Sequence, residues 1–227
     1  MSQTLKLEIE KGISGLCKTI GFKRKKFNYF KAMNENVFAT LGFGLSSHAA
    51  LGHVYVNITV GVIHRNVEDI RTRLIGYNSL EIMQPTIGIQ LGYLMPEKSF
   101  KEWDFTENNR TPLFEDMLNS IQAYGFAYHE KMSDLNILFE AIENREHGVL
   151  NQARDMYLPI LHFIRGDKQK GLTAIEEAIE RQTNNNRIKE IERLKKNVES
   201  VELVVIGSGY GKVDPIYIEF AERYKAL

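Results

Sequence analysis

Four consecutive cations, Lys23-Arg24-Lys25-Lys26, lie between Phe22 and Phe27, with Lys18, Tyr29, Phe30 and Lys31 close by. Cations neutralise phosphates and rings stack on bases, so this mixture suits a nucleic-acid binder. The competing reading is a solvated turn between a helix and a strand edge, where lysines discourage unwanted pairing. No recognised DNA- or RNA-binding motif accompanies the cluster, which weighs against the first reading.

Six histidines supply the commonest acid-base group and metal ligand. His48, His53 and His64 fall near the ends of strands and are the histidine group that would serve a hydrolase or nuclease, given an acidic neighbour. The standard zinc signatures are missing: the chain has no His-Glu-x-x-His and no Cys-x-x-Cys. Glu143 and His147 are one helical turn apart, which reads as a surface pair or cap. His162 sits among apolar helix positions and reads as a satisfied, partly buried histidine. Cys17 lies beside the apolar stripe of the first helix, where a small buried side chain is a better reading than a catalytic thiol.

The run Gly207-Ser208-Gly209-Tyr210-Gly211-Lys212 resembles a phosphate loop only superficially. Three residues separate Gly207 from Gly211 where a P-loop needs four, and Val213 replaces the hydroxyl residue that would hold magnesium. Lys212 stands where the third glycine of a dinucleotide fingerprint belongs. Ser208 is not in a Gly-x-Ser-x-Gly elbow, and Ser14, Ser46 and Ser47 have no catalytic context. No cofactor and no metal are expected, and no catalytic residue is assigned.

The elements that position these residues follow from hydrophobic period. Leu5, Ile9, Ile13, Leu16 and Ile20 make one helix face closed by Gly21. From Phe27 the period becomes two: a first strand to Ala32, a turn at Asn34-Glu35-Asn36, then a second strand through Val37, Ala39, Leu41, Phe43 and Leu45. Val54, Val56, Ile58, Val60 and Val62 form the clearest strand, and Asn66 is a candidate cap for a helix that Gly76 closes. A fourth strand is expected over Ile87–Tyr93, with a fifth short one near 100–105.

Beyond Asn109 the pattern is helical. Thr111-Pro112, Ser133 and Asp214-Pro215 are candidate helix starts. Pro159 should kink or divide its helix. Asn184-Asn185-Asn186 reads as a linker before a charged helix carrying Ile188, Ile191, Leu194, Val198 and Val201. These patterns predict an α+β fold: an antiparallel four- or five-stranded meander sheet with flanking helices, followed by an α-helical C-terminal region. The expected division is a sheet domain over 1–108 and a helical region over 109–227 packed on it.

Gly42, Gly44, Gly88 and Gly92 have the parity opposite to the large apolar strand residues, together with Thr40, Asn57, Thr59 and Gln90. Small residues on that face let a helix, a ligand or a partner approach closely. With the basic cluster they define a candidate interaction surface: Lys23, Arg24, Lys25, Lys26, Thr40, Asn57, Thr59 and Gln90.

The 227 residues are 43% hydrophobic and 26% charged, which excludes disordered and low-complexity classes. The 29 basic and 29 acidic residues cancel, against a whole-chain polyanion binder. The balance is uneven along the chain, with residues 1–75 at +6, 76–150 at −7 and the rest at +1. One cysteine cannot make an internal disulfide, and no run of about 18 apolar residues exists, so a soluble cytoplasmic protein without a membrane partner is expected.

The stretch Gly21-Phe22-Lys23-Arg24-Lys25-Lys26-Phe27-Asn28-Tyr29-Phe30, the strand Val37 to Ser47, and His53-Val54-Tyr55-Val56-Asn57-Ile58-Thr59-Val60-Gly61-Val62 resemble the DUF4304 family of bacterial proteins. The resemblance covers the first ~95 residues. That family has no assigned function, so it carries over no catalytic residue. Some of its members look like immunity proteins, which bind and block a toxin, and the resemblance therefore implies a non-enzymatic protein-binding module. Gly166-Asp167, Gly171 and Ala178-Ile179 are similar to part of one tetratricopeptide-like repeat, but no 34-residue period follows. A hydrolase using the strand-end histidines and a nucleic-acid binder using Lys23–Lys26 stand as alternatives.

Overall fold

The computed structural model describes residues 2–46, 52–76, 78–81, 83–146, 151–197 and 213–227. His48, Ser47, His147 and the Gly207–Lys212 run lie outside them, as do Val198 and Val201. The described chain is α+β, with helices on either side in sequence of one antiparallel six-stranded sheet. Contacts divide it into two compact units, Met1–Asp69 with Asn78–Val149, and Ile70–Tyr77 with Leu150–Leu227. Residues 109–146 fall in the first unit with the sheet.

Helix α1 (Ser2–Thr19) buries Leu5, Ile9, Ile13, Leu16 and Cys17, the stripe its four- and three-residue spacing predicts. It ends at Gly21, whose φ of 83° is open to glycine at no cost. Gly21 N–H donates to Lys18 O and Phe22 N–H to Cys17 O, which satisfies the last carbonyls. The sheet then runs in order β1 (Lys23–Lys25), β2 (Asn28–Ala32), β3 (Val37–Ser46), β4 (Val54–His64) and β5 (Ile87–Gln90), every pair antiparallel. Lys23–Lys25 of the basic cluster, read from sequence as a turn, form the edge strand β1, and Lys26 falls in the turn after it.

β4 has two partners on one edge. Thr59–Val62 pair with β5, and Val54–Val56 pair with β6 (Trp103–Phe105). The strand expected to continue to Tyr93 stops at Gln90, because Gln90 turns the chain into a 3₁₀ turn at Leu91–Leu94. Its side-chain oxygen accepts from Gly92 N–H at 2.8 Å.

Val54, Val56, Ile58, Val60 and Val62 of β4 are all fully buried on one face. Helices α1, α3 (Arg110–Ser120) and α4 (Phe126–Met132) lie with that face in the first unit. A π-helical turn, Ile121–Gly125, joins α3 to α4, and a Cβ on Gly125 would lie only 3.2 Å from Val60 Cγ1. The extra residue in that turn goes with a backbone pressed close to β4. α3 begins at Arg110 after Asn109, so Thr111-Pro112 falls inside its first turn instead of starting it. Asp134, not Ser133, caps α5 (Leu135–Glu143), accepting from Asn136 and Ile137 N–H. Ser133 closes α4 instead, its hydroxyl donating to Glu130 O. α2 (Arg65–Ile75) follows β4 directly, one residue ahead of the expected cap at Asn66.

The second unit holds α6 (Asn151–Ile164), α7 (Lys168–Asn197) and α8 (Pro215–Lys225). Pro159 does not divide α6. Its missing N–H frees the carbonyl of Asp155, and the Tyr217 hydroxyl of α8 donates to that oxygen at 3.0 Å. Tyr224, about two turns further on, donates to Pro159 O at 2.9 Å, and a side chain at Gly171 of α7 would collide with that hydroxyl. The buried Asp155 carboxylate pairs with Arg181 of α7. Asn184-Asn185-Asn186 is no linker: α7 runs through it, because helix propensity of the flanking residues outweighs three asparagines that cost only tenths of a kcal/mol each. Asp214 caps α8 as its sequence predicts, accepting from Ile216 N–H at 2.9 Å.

Candidate interaction face

Register decides which of the sequence-predicted residues share a surface. Lys25 pairs with Asn28, Asn28 with Gly42, Gly42 with Thr59 and Thr59 with Gln90. Side chains directly opposite in a ladder point to the same side. One row therefore crosses five strands on the face away from the buried valines. Gly44 with Asn57 forms the next row, and Ser46, Tyr55 and Asp104 the one after it. Gly44, Gly88, Lys23, Lys25 and Asp104 are exposed, and Asn28, Gly42, Tyr55, Asn57, Thr59 and Gln90 are half-buried. This half of the face is open to solvent.

The glycines accommodate the face's own side chains. A Cβ on Gly44 would lie 2.7 Å from Asn57 Oδ1, so the carboxamide lies across it. Thr59 borders Gly42 and Gly88 in the same way, at 3.8 and 3.5 Å. The result is a low, polar floor of Asn57 and Thr59. At the other half a loop covers the sheet. Pro85 sits 2.6 Å from where a Gly61 Cβ would be, and at the β1 edge the same loop reaches the end of the open row, where Lys25 Nζ donates to Leu80 O at 3.0 Å.

That cover removes Thr40 from the candidate surface. It shares the open parity but is 3% exposed, beside Gly61 under the Pro85 segment. Gln90 is at the edge of the face with both amide groups spent, one on Gly92 N–H and one on Lys101 O at 2.5 Å. Arg24 has the opposite parity. Its guanidinium lies 5.9 Å from the Tyr29 ring and Nε donates to Lys26 O. Lys26 occupies the β1–β2 turn at a φ of 53°, a left-handed conformation that costs a lysine on the order of 1 kcal/mol. Lys23, Lys25, Asn57 and Thr59 are thus the predicted residues brought together on the open face.

The histidines do not cluster. His53 and His64 bracket β4, about 35 Å apart at the rise of an extended strand. His53 Nδ1 lies 2.8 Å from Asp104 Oδ1 and 3.1 Å from Oδ2, and the imidazole stacks on Tyr55 at 6.2 Å. A neutral ring with its proton on Nδ1, facing the carboxylate, keeps Nε2 as its acceptor. Asp104 was invisible as a partner because β6 reaches β4 across 51 residues. Among the described residues, no group of three His, Cys, Asp or Glu could hold a metal ion.

His64 is 5% exposed and donates Nε2–H to Met132 O at 2.8 Å; burial pulls it below the ordinary histidine pKa, against that hydrogen bond. Beside it the Thr86 hydroxyl accepts from His64 N–H and donates to the buried carboxylate of Glu68 at 2.7 Å. Sequence reasoning passed over His129, which is 3% exposed, bonds Thr40 O through Nε2 at 3.1 Å and is lowered to about 4 by burial. Its signal was present: it follows Tyr128 on the buried stripe of α4. The Cys17 thiol is buried, which pushes its pKa up to about 12 and makes it a poor nucleophile.

Comparison with protein-family models, with curated proteins and with solved structures finds no match to this chain.

Proposed function

We propose that the protein is a non-enzymatic binding module that docks a partner protein on the open half of its sheet. The observation that carries this reading is the polar row Lys25–Asn28–Gly42–Thr59–Gln90, exposed at Lys25, half-buried along the rest and continuous with Asn57. Its β1 end carries Lys23 and Lys25 among four successive cations, so the partner presents an acidic, polar surface. The DUF4304 resemblance gives this a specific form, an immunity protein that occludes a toxin in the cytoplasm. A single buried thiol is in keeping with a reducing compartment. Among the described residues no helix is long and apolar enough to cross a membrane.

The test is a photo-crosslinking residue installed at Asn57 and, as a control, at the exposed Glu140, with irradiation in the native host. A stoichiometric protein adduct from position 57 alone, lost in a Lys23→Glu/Lys25→Glu variant, supports the proposal. Equal adducts from both positions would overturn it. Recovery of RNA or DNA from position 57 would transfer the face to the nucleic-acid alternative.

The His53–Asp104 pair favours a second reading, a hydrolase or nuclease with His53 as general base. Phosphodiester or ester turnover by the purified protein that disappears in His53→Gln would support it, and turnover unchanged in that variant would remove it.

A further inference from the structure

On the opposite side of β2 and β3 from the open face, three rings close on one small pocket. Phe22, just after α1, stacks on Phe126 of α4 with centroids 6.5 Å apart and planes at 17°. His129, one helical turn beyond Phe126, is 5.9 Å from Phe22 and 6.3 Å from Phe126. Ala39 of β3 is buried beside them and the exposed Met33 lies at the outer side of a hollow of about 120 Å³ that opens to solvent. A dry apolar cavity of roughly 150 Å³ holds a benzene-sized molecule, so this one takes a slightly smaller apolar group or a ring that protrudes from its mouth.

Lys31 supplies the charge. Its ammonium lies 5.5 Å from the Phe126 centroid and donates one N–H to Ile20 O at 3.2 Å. An ammonium has three donors, so two remain for a ligand. His129 contributes a ring and no charge, because burial holds it neutral above a pKa of about 4. Among the described residues, no acidic side chain lines the pocket. Apolar walls with one cation at the rim are complementary to a compact apolar group that ends in a carboxylate, and an approaching cation would be repelled by Lys31.

We infer that the Phe22–Phe126–His129 pocket is a binding site for a small apolar carboxylate, its tail among the rings and its carboxylate on Lys31. Sodium isobutyrate and sodium benzoate are the probes, titrated into the full-length protein and followed by the methyl resonance of Met33 and the ring protons of His129. Saturable shifts are expected for both acids, about tenfold weaker in Lys31→Gln and largely kept in Lys31→Arg. Lys31 is exposed, so the glutamine variant should fold, which a matching thermal melt checks. Absence of saturable shifts in the wild-type protein would overturn the assignment. So would binding of benzamide as strong as that of benzoate, or unchanged affinity in Lys31→Gln.

Discussion

The two faces of β3 and β4 are built from alternate residues of the same strands, yet they behave as different materials. One is a row of fully buried valines and isoleucine under helices; the other is covered by a loop at Thr40 and Gly61 and is half-buried to exposed glycine, asparagine and threonine beyond them. The period of two separates them residue by residue, so a face for stability and the face proposed for docking coexist within eleven residues of β4. Stability should therefore respond to substitutions on the first and partner binding to substitutions on the second.

The largest expected effect is on the covered face. Phe105 is 0% exposed at the β6 end of that face, and Phe105→Ala should cost about 3–5 kcal/mol in urea denaturation. A loss below about 1 kcal/mol would mean the helices do not pack there as described.

Acid comes next. An unfolded histidine takes up its proton near the ordinary value of 6.5, whereas folded His129 does so only at about 4. Between those values the unfolded chain binds more protons, so stability falls as pH drops through that window, by about 3 kcal/mol at the upper limit. His64, lowered in the same direction, adds to the loss. His129→Gln, which can keep a donor on Thr40 O, should flatten the pH profile of unfolding, and an unaltered profile would show that other groups dominate it.

Glycines divide the open face itself. Gly61→Ala brings a Cβ to 2.8 Å from the backbone oxygen of Ile87 and 2.6 Å from Pro85, which should cost about 1–3 kcal/mol. Gly42→Ala meets side chains and no backbone, the Asn28 carboxamide at 3.3 Å and Thr59 Cβ at 3.8 Å, and should stay within about 0.5 kcal/mol of neutral. Similar losses from both would mean the loop does not cover Gly61. The smallest expected effect on folding is Asn57→Ala, also within about 0.5 kcal/mol by denaturation, while the same substitution weakens partner capture. A large stability loss there would make Asn57 structural and break the division between the faces.

What sequence could show here was whatever local period controls. The stripe of α1, the alternation of β3 and β4, the turn at Asn34–Asn36 and the cap at Asp214 all depend on neighbours within a few residues. The shared parity of Asn57, Thr59 and the glycines was legible for the same reason. Contacts made across the chain were not. Thr40 has the open parity but lies under a loop more than forty residues away. Gln90 looks like a free polar strand residue until Lys101 and Gly92 take its amide. Asp104 meets His53 only through strand pairing, and Pro159 is tolerated only because Tyr217 returns to the carbonyl it orphans. Asparagines at 184–186 misled for a different reason, since a long helix tolerates several weak formers.

The double partnership of β4 has a consequence for how the chain assembles. During synthesis the N-terminal helix and β1–β4 emerge first, but the Val54–Val56 end of β4 waits about fifty residues for Trp103–Phe105. Until then it offers an unpaired, strongly apolar strand edge, the kind of surface that recruits other chains or chaperones. The slow step of folding should be the arrival of β6, and a nascent chain stalled before residue 103 should be the species most prone to aggregate.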